Sequence, residues 1–333
     1  MWRCRSRRFW LYLNSIKRDS SPFTGMIIHH NLQLTVPVKQ SVVTMGSFDG
    51  VHLGHRKILE KVVSVAENSG LESVLITFSQ HPRKVLGKQA ESLKMLTTAE
   101  ERRGIFEEIG IRHLVCLTFD ADLAAMEAED FIRNVFINHL NARYIITGYG
   151  HRFGKGGRGD HELLEHYAGI YGYTAELIPM QDIEQNMISS TLIRKLLNEG
   201  DVAGARAHLG YSYRLSGMVT GGSRIGQTLG FPTANIGDIH PEKLTPGDGV
   251  YAVKVLIHNG MYKGMMNIGY RPTVNGNDRT LEVHLFGFDR DAYGEPITVI
   301  FEHRLRPEMK FGSVEELRKQ LIRDKSEAER LLG

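Results

Sequence analysis

The fold is decided by one stretch of the chain, Ser41–Met45 (SVVTM), which is followed at once by Gly46–His55 (GSFDGVHLGH). A five-residue run with three apolar and two small polar side chains is typical of a strand, and the pattern of Arg56–Asn68 predicts a helix after it. Three glycines in the connecting turn allow its backbone to approach a ligand closely. The stretch therefore predicts a strand, an anion-binding turn and a helix, in that order.

Two histidines end this turn. His52 and His55 are three residues apart and share one face if the turn becomes helical. Two imidazoles beside a bound phosphate are suited to stabilising charge on a phosphoryl group. Two ordinary polar residues at a helix start are the structural alternative, which the spacing and the glycine-rich context disfavour. We therefore predict that His52 and His55 are catalytic residues.

The same alternation of short apolar runs and helical patterns continues to about residue 210. The predicted strands after the first are Ser73–Phe78, His113–Leu117, Tyr144–Thr147 and Thr174–Ile178, and the predicted helices are Thr98–Ile109, Glu129–Leu140, Asp160–Tyr171, Ser190–Asn198 and Val202–His208. Continuous apolar strands separated by helices indicate a parallel sheet covered on both faces. We expect its ligand crevice at the carboxyl ends of the strands, near the first strand–helix turn.

The pattern changes after residue 210. Short alternating runs with Gly and Pro between them follow, and the next long helical pattern is Val314–Leu332. This pattern predicts a small antiparallel β-barrel with a C-terminal helix. The predicted class is therefore α/β followed by all-β, and the predicted divisions of the chain are residues 1–25, 26–210 and 211–333.

Composition and charge are those of an ordinary globular protein. Of 333 residues, 41% are hydrophobic and 24% are charged, with 41 Lys and Arg against 38 Asp and Glu. The positive excess lies in residues 1–25, so the rest of the chain lacks the basic character of a nucleic-acid-binding protein. Two cysteines indicate neither a disulfide framework nor a zinc site, and no apolar run approaches the roughly 20 residues of a membrane span. We expect a cytoplasmic protein without nucleic-acid or membrane partners, and the oligomeric state is left open.

Residues 1–25 are rich in Arg and Ser and poor in acids. The segment resembles a transit peptide. The alternative is an upstream extension of the reading frame with the working start at Met26, which is favoured because folded-looking sequence begins directly after that residue. In either case the segment is not expected to be part of the fold.

A second motif lies in the last helical region before residue 210, at Ile188–Arg194 (ISSTLIR). Serines at a helix start can cap it or hold a phosphate, and an arginine can bind a polyphosphate through its forked guanidinium. Together with the HxGH pattern of residues 52–55, this motif resembles the nucleotidyltransferase superfamily. The longer string GSFDGVHLGH resembles the bacterial bifunctional riboflavin kinase/FMN adenylyltransferase (FAD synthetase) family.

For the first domain, the resemblance implies a Rossmann-like nucleotidyltransferase fold and transfer of the adenylyl group of ATP to FMN. The segments Phe78–Arg83, Leu96–Arg102 and Phe119-Asp120 resemble the family as well. The implied nucleotide-binding residues are Gly46, Phe48, Gly54, Ser189, Ser190, Thr191 and Arg194. The implied contacts to flavin or phosphate are Arg83, Arg102, Tyr149 and Phe153.

One position departs from the family pattern. The usual string is close to Gly-x-Asp/Asn-x-x-Phe-Gly, whereas this chain has Gly150 within Gly148–Gly154 (GYGHRFG). A carboxylate or amide that is thought to help position ligands is therefore missing. This departure leaves open an alternative in which the protein acts as a riboflavin kinase only.

The second domain has a glycine-rich stretch, Gly217–Gly226, and then Pro232-Thr233-Ala234-Asn235. Such a loop can offer backbone N–H groups to phosphates, and it is not a Walker A loop because no Gly-Lys-Ser/Thr follows. Thr233 and Asn235 are two residues apart and point to the same side of an extended chain. Their two neutral oxygens suit Mg²⁺, whose other ligands would be water and the phosphates of ATP.

The PTAN sequence resembles the riboflavin kinase module, so the family resemblance extends over about residues 41–325. It implies Thr233 and Asn235 as ligands of magnesium and ATP. It also implies nucleotide contacts at Gly217, Gly222 and Gly226 and a flavin or phosphate contact at Asn267. Glu282 alternates with apolar neighbours and points away from their face, where an acid can accept the proton of an alcohol that attacks the γ-phosphate.

Two further patterns are not interpreted as sites. Gly154–Gly159 satisfies GxGxxG but does not directly follow a predicted strand. His161 and His166 are five residues apart, so on a helix they diverge by about 140° and cannot share a metal.

The functional hypothesis is a bifunctional enzyme that uses ATP and Mg²⁺ to convert riboflavin into FMN, and then FMN and ATP into FAD and pyrophosphate. The alternatives are the kinase alone, or a flavin-binding module without turnover.

Overall fold

The computed structural model describes residues 25–32, 34–80, 85, 93–179, 188–221, 229–273 and 276–333, and the side chains of residues 271–278 are excluded. The chain forms two compact units, Met1–Ser189 and Ser190–Gly333. The basic segment discussed above lies outside the described residues except for Gly25.

The first unit is built on a sheet of six parallel strands. These are β1 (Ile27–His30), β2 (Ser41–Met45), β3 (Glu72–Phe78), β4 (His113–Leu117), β5 (Ala142–Gly148) and β6 (Thr174–Ile178). Their spatial order is β1-β4-β3-β2-β5-β6, and every neighbouring pair is parallel. The chain crosses from one side of β2 to the other between β4 and β5, which places a ligand crevice outside the carboxyl ends of β2 and β5.

Helices connect these strands, as the sequence pattern predicted. They are α1 (Leu53–Ser69), α2 (Ala99–Ile109), α3 (Ala121–Ala125), α4 (Ala128–Phe131, continuing as a π-helix over Ile132–His139) and α5 (His161–Tyr171). Helix α2 begins at a capping box, in which Thr98 and Glu101 each bond the other's backbone N–H. Helix α1 ends where Gly70 adopts the left-handed conformation, with φ of 63°.

Strand β1 was not predicted, because its sequence IIHH carries two polar residues in four. His29 of β1 is nevertheless fully buried, and its Nε2 lies 2.9 Å from Nδ1 of His113 on the neighbouring strand. The Thr35 N–H donates to the other ring nitrogen of His29 over 2.9 Å. A buried polar side chain with both nitrogens paired is compatible with a sheet interior, but that pairing depends on a residue far along the chain.

The second unit begins with two helices, α6 (Ser190–Asn198) and α7 (Val202–Leu209). A closed antiparallel barrel follows, made of β7 (Arg214–Thr220), β8 (Ala234–Gly237), β9 (Gly249–Ile257), β10 (Gly260–Thr273), β11 (Gly276–Leu285) and β12 (Pro296–Arg306). The order around the barrel is β10-β11-β8-β7-β12-β9. Helix α8 (Val314–Leu331) ends the chain. The predicted fold class is thereby confirmed.

The two compact units divide before α6, whereas the sequence predicted a change of domain at residues 210–211. Contacts of α6 and α7 with the barrel account for the earlier division. The Arg206 guanidinium of α7 lies 2.8 Å from the carboxylate of Glu302 on β12. The Gly247 N–H donates to the carbonyl of Leu197 on α6 over 2.8 Å. These contacts join parts of the chain that are remote in sequence, and the local pattern does not encode them.

Helix α8 packs on the barrel through an apolar cluster and a buried ion pair. Ala328 of the helix is fully buried in a cluster with Phe231, Ala252 and Met265. Nearby, Arg306 of β12 and Asp324 of α8 form an ion pair of 2.8 Å. No helix in the described part of the chain combines the length and apolar character that a membrane span requires.

Candidate active sites

The turn after β2 holds the histidine pair in an unusual backbone conformation. Phe48, Gly50 and Val51 have positive φ angles of 46°, 80° and 36°. For a β-branched residue such as Val51 this conformation is strained, by about 1–3 kcal/mol, and such strain is found mainly where surrounding contacts enforce it at functional turns. Gly46 begins the turn, and a Cβ there would lie 2.9 Å from the Phe48 ring. The turn therefore requires the glycine that the sequence places there.

His52 and His55 lie together at the start of α1, as predicted. Their rings stack with centroids 3.6 Å apart and planes 15° apart. His52 is the N-cap residue of α1, and its Nδ1 accepts a hydrogen bond of 3.3 Å from the His55 backbone N–H. Neutral His52 therefore carries its proton on Nε2, because Nδ1 is the acceptor.

Burial keeps the second imidazole neutral. Desolvation, with a smaller effect of His52, lowers the pKa of His55 well below its usual value of 6.5. The buried Nδ1 of His55 makes no hydrogen bond to any described residue. A polyphosphate bound beside His55 would raise the pKa of that ring, because a negative charge favours the protonated form. A bound polyphosphate therefore opposes the effect of burial on this imidazole.

Asp49 anchors the turn to the segment before α2. Its carboxylate is 1% exposed and accepts hydrogen bonds from the backbone N–H groups of Leu96, at 3.0 and 3.1 Å, and of Thr97, at 3.1 Å. The Thr97 hydroxyl donates to the same carboxylate and accepts from the Gly50 N–H. The sequence motif did not predict that the Asp49 side chain is buried against the segment of Leu96 and Thr97. This network holds the strained turn in place.

The structure places Arg102 in the same network. Its side chain is 9% exposed, lies 3.8 Å from the Asp49 carboxylate and donates to the Thr97 carbonyl over 3.3 Å. A direct contact of Arg102 with flavin or phosphate stays a prediction. The observed contacts favour support of the turn from within the unit.

The strand next to β2 in the crevice, β5, ends in the segment that departs from the family pattern. Gly148 packs against α1, since a Cβ there would clash with Ile58. Tyr149 is 65% exposed, whereas Phe153 is 5% exposed and packs against Phe131 and Phe136. Of the two aromatic residues predicted to contact flavin, only Tyr149 presents its ring to solvent at this edge.

His151 was missed in the sequence analysis, although it lies in the same segment. Burial lowers its pKa to about 4, and its buried Nε2 makes no hydrogen bond to a described residue. The ring stacks on Phe153 with centroids 6.0 Å apart. His151 lies between Gly150 and Arg152, so no apolar pattern in the sequence predicts that its ring is buried.

The residues of the ISSTLIR motif lie at the start of α6. Ser189 closes the first compact unit and Ser190 opens the second, followed on α6 by Thr191 and Arg194. Their action together with the histidine pair stays a prediction. Arg83, Gly222 and Gly226 lie outside the described residues.

In the barrel, strand pairing brings predicted residues of three chain segments into one row. Glu282 of β11 lies directly opposite Asn235 of β8 and, on its other side, opposite Asn267 of β10. Side chains that lie opposite one another in an antiparallel pair project from the same face. One carboxylate and two amides therefore stand side by side, and all three are half-buried.

Thr233 joins this row from the segment before β8. Its hydroxyl donates a hydrogen bond of 3.3 Å to the Glu282 carboxylate. Gly217 of β7, predicted to bind nucleotide, has a packing role as well, because a Cβ there would clash with the Gly237 carbonyl. The row and the Thr233 hydroxyl form an oxygen-rich centre, which we call the barrel centre and define as Thr233, Asn235, Asn267 and Glu282.

The donor set of the barrel centre fits a hard divalent cation. Hydroxyl, amide and carboxylate oxygens are the ligands that Mg²⁺ prefers, and Mg²⁺ commonly keeps waters and substrate phosphates in its remaining positions. Within the described residues there is no cluster of three or more His, Cys, Asp or Glu that could hold a metal ion. Any cation in the barrel would therefore depend on substrate phosphates for part of its coordination.

Comparison with known proteins identifies both units. A family described as FAD synthetase matches residues 36–192, and a family described as riboflavin kinase matches residues 209–332. A Bacillus subtilis (strain 168) protein named bifunctional riboflavin kinase/FMN adenylyltransferase is 36% identical over 87% of this chain and 92% of its own length. An Escherichia coli (strain K12) protein of the same name is 35% identical over 91% of this chain and 96% of its own length.

A solved structure shares the fold of this chain over most of its length. A crystal structure described as a macrolide-efflux protein from Streptococcus pneumoniae has a TM-score of 0.82 and 30% identity, covering 90% of this chain and 98% of the other. A parallel-sheet unit with a histidine pair at its crevice and a barrel with an oxygen-rich centre define a two-domain transferase. The chain belongs to the bifunctional riboflavin kinase/FMN adenylyltransferase family.

Proposed function

We propose that the barrel centre phosphorylates riboflavin with ATP. The terminal ribityl hydroxyl attacks the γ-phosphorus of ATP, the bond from that phosphorus to the β–γ bridging oxygen breaks, and FMN and ADP result. The Glu282 carboxylate accepts the proton that the hydroxyl loses, and Thr233 holds that carboxylate by the hydrogen bond of 3.3 Å. The row formed with Asn235 and Asn267 is the observation that carries this assignment.

Thr233 and Asn235 are the residues that would hold Mg²⁺ in the barrel. The ion, when bound, neutralises charge on the ATP phosphates. The protein residues provide position and orientation, and no covalent intermediate with the enzyme is needed. Gly217, Gly222 and Gly226 are assigned to the phosphates of ATP.

In the sheet unit, an oxygen of the FMN phosphate attacks the α-phosphorus of ATP, and pyrophosphate leaves with formation of FAD. His52 donates from Nε2 to the phosphate oxygens, and His55, stacked on it, completes the pair that stabilises the developing charge. Gly46, Phe48 and Gly54 shape the turn around the nucleotide. Ser189, Ser190, Thr191 and Arg194 are assigned to the departing pyrophosphate.

Small molecules are the partners that this function requires, namely riboflavin, FMN and ATP. We assign the protein to the cytoplasm, where these substrates are available, and give it no nucleic-acid or membrane partner. The alternative of a kinase without adenylyl transfer is not favoured, since the family match covers both units and the similar bacterial proteins carry both activities in their names.

Product analysis tests the proposal directly. The purified chain is incubated with riboflavin, ATP and Mg²⁺, and the flavins are separated by chromatography. We expect FMN to appear first and FAD to follow. FMN without FAD would support the kinase-only alternative, and binding of flavin without consumption of ATP would support a module without turnover.

A matched pair of variants then assigns each step. Glu282→Gln keeps the shape of the side chain but removes the base, so riboflavin should stay unphosphorylated while added FMN is still converted to FAD. His52→Ala should give the opposite result, with FMN accumulating. An unchanged rate of both steps in either variant contradicts the corresponding role.

A further inference from the structure

We propose that His284 is a positioning residue of the barrel centre, which holds Thr233 in register with Glu282 through the carbonyl of Pro232. The proposal rests on the proposed function, because it concerns the residues assigned above to riboflavin phosphorylation. It adds a residue that neither the sequence motifs nor the comparisons single out.

His284 stands next to the catalytic carboxylate on the same strand. It follows Glu282 by two residues on β11, so both side chains project from the same face. Whereas Glu282 is half-buried, His284 is only 8% exposed. The imidazole is therefore more buried than the catalytic carboxylate, and we do not assign it a contact with substrate.

A single hydrogen bond links this ring to the PTAN segment. Nδ1 of His284 lies 2.7 Å from the carbonyl oxygen of Pro232. A carbonyl can only accept, so Nδ1 carries the proton and donates it. Proline has no backbone N–H, so its carbonyl is the only polar backbone group through which residue 232 can be held.

Aromatic packing fixes the orientation of the donor. The His284 ring meets the Phe231 ring edge-on with centroids 5.4 Å apart, and it lies 5.6 Å from the Phe286 ring. Phe231 belongs to the apolar cluster between barrel and α8. The imidazole is thus wedged between two rings, and its N–H points at one oxygen.

The consequence for catalysis follows from covalent geometry. The Pro232 carbonyl belongs to the peptide unit whose nitrogen is that of Thr233, and peptide units are planar. Fixing the carbonyl therefore fixes the nitrogen and Cα of Thr233, the points from which its side chain reaches Glu282. The Thr233 hydroxyl donates to Glu282. Glu282 and His284 are joined by β11, and His284 is joined to Thr233 by its hydrogen bond to the Pro232 carbonyl. The four residues therefore form a closed circuit of contacts.

Residues that orient the groups touching a metal or substrate commonly affect activity by about 10- to 100-fold when they are removed. His284 should have an effect of this size on the kinase step alone. The adenylyl transfer step, whose catalytic histidine pair lies in the other unit, provides an internal control within the same polypeptide.

Two substitutions separate the hydrogen bond from the packing. His284→Asn keeps an N–H donor near the position of Nδ1 and loses most of the ring. His284→Phe keeps an aromatic ring and loses the donor. Both are made in the full-length chain, with thermal unfolding measured for each.

Three quantities are measured. They are kcat and KM of riboflavin phosphorylation, the Mg²⁺ concentration that gives half-maximal rate, and the affinity for ADP with Mg²⁺ by calorimetry. We expect His284→Phe to lower kcat about 10- to 100-fold, to raise the Mg²⁺ requirement and to weaken binding of ADP with Mg²⁺. His284→Asn should have a kcat, an Mg²⁺ requirement and an affinity for ADP with Mg²⁺ close to those of the unmodified chain. The conversion of added FMN to FAD should be unchanged in both variants.

The proposal is overturned if His284→Phe keeps the kinetic constants and Mg²⁺ requirement of the unmodified chain. It is also overturned if His284→Asn is as defective as His284→Phe and both lose thermal stability in parallel, since packing alone would then explain the effect. Failure of the proposed function is distinguishable, because it would leave the unmodified chain without kinase activity or Glu282→Gln fully active.

Discussion

Gly150 occupies the position where the family pattern has a carboxylate or an amide. Its φ is 73°, and nothing lies within 4 Å of the place a Cβ would take. Asn tolerates this left-handed conformation better than most residues. We predict that Gly150→Asn increases kcat/KM of adenylyl transfer roughly fivefold, which corresponds to one hydrogen bond of about 1 kcal/mol. The rate of FAD formation from added FMN measures this, and riboflavin phosphorylation should not change.

Gly156 offers a matched control for this substitution. It also has a positive φ, 63°, with nothing within 4 Å of a Cβ, and it lies in a short 3₁₀ turn. Gly156→Asn should leave adenylyl transfer unchanged. Equal effects of the two substitutions would mean that the gain at residue 150 has nothing to do with a ligand.

His151 makes the stability of the sheet unit depend on pH. Its folded-state pKa is about 4, below the unfolded value of 6.5, so between these values the unfolded chain binds more protons. The free energy of unfolding therefore decreases as pH falls through this window, and this residue accounts for a loss of about 2 kcal/mol at about pH 5. Urea denaturation of the unmodified chain and of His151→Asn, each at about pH 7.5 and about pH 5, isolates the effect.

We expect the unmodified chain to lose more stability than His151→Asn between the two pH values. The other buried histidines contribute equally to both proteins and cancel in the comparison. An identical pH dependence would show that His151 titrates normally in the folded protein.

At the scale of elements, the barrel and its last helix are joined by a buried ion pair. Nε of Arg306 lies 3.0 Å from both carboxylate oxygens of Asp324, and Nη2 lies 2.8 Å from one of them. The two side chains are 13% and 4% exposed. Asp324→Leu leaves the guanidinium buried without this partner, so we predict a loss of about 3–5 kcal/mol in the stability of the barrel unit.

The double variant Arg306→Met with Asp324→Leu is the matching control. Removing both charges avoids the buried unpaired ion, so most of the lost stability should return. Urea denaturation, monitored through riboflavin kinase activity, provides the measurement. A double variant as unstable as Asp324→Leu would mean that packing of α8, and not charge, dominates.

The helices and most strands of the sheet unit could be predicted because their patterns are local. The run of Ser41–Met45 and the caps around α2 depend on residues close together in the chain. Strand β1 could not be predicted, since its His29 is buried only by pairing with His113. The short β8 has the same kind of origin, since its four residues become a strand through pairing with β7 and β11.

On the scale of the whole molecule, the catalytic residues proposed for the two activities lie in different compact units, with His52 and His55 in the first and Glu282 in the second. A variant that lacks one activity should therefore be complemented by a variant that lacks the other. We predict that a mixture of Glu282→Gln and His52→Ala forms FAD from riboflavin, although neither protein does so alone. FMN made by one molecule then diffuses to another, and chromatography follows both flavins over time.

As the matched control, each variant is assayed alone at the total protein concentration of the mixture. If the mixture made FMN but no FAD, the FMN would have to pass between the units of one molecule without release. This result would contradict independent action of the two units.

The sequence by itself determined the fold class and the family, because periodicity and contiguous motifs are local properties of the chain, and the phosphate-binding role of those motifs stays a prediction. The tertiary structure alone decided that Asn235, Glu282 and Asn267 form one row. It also decided that Arg102 supports Asp49 from inside and that His284 holds Pro232. Strand register and burial arise from the packing of segments far apart in sequence. A local pattern therefore does not predict which residue of a distant segment pairs with a given residue across neighbouring strands.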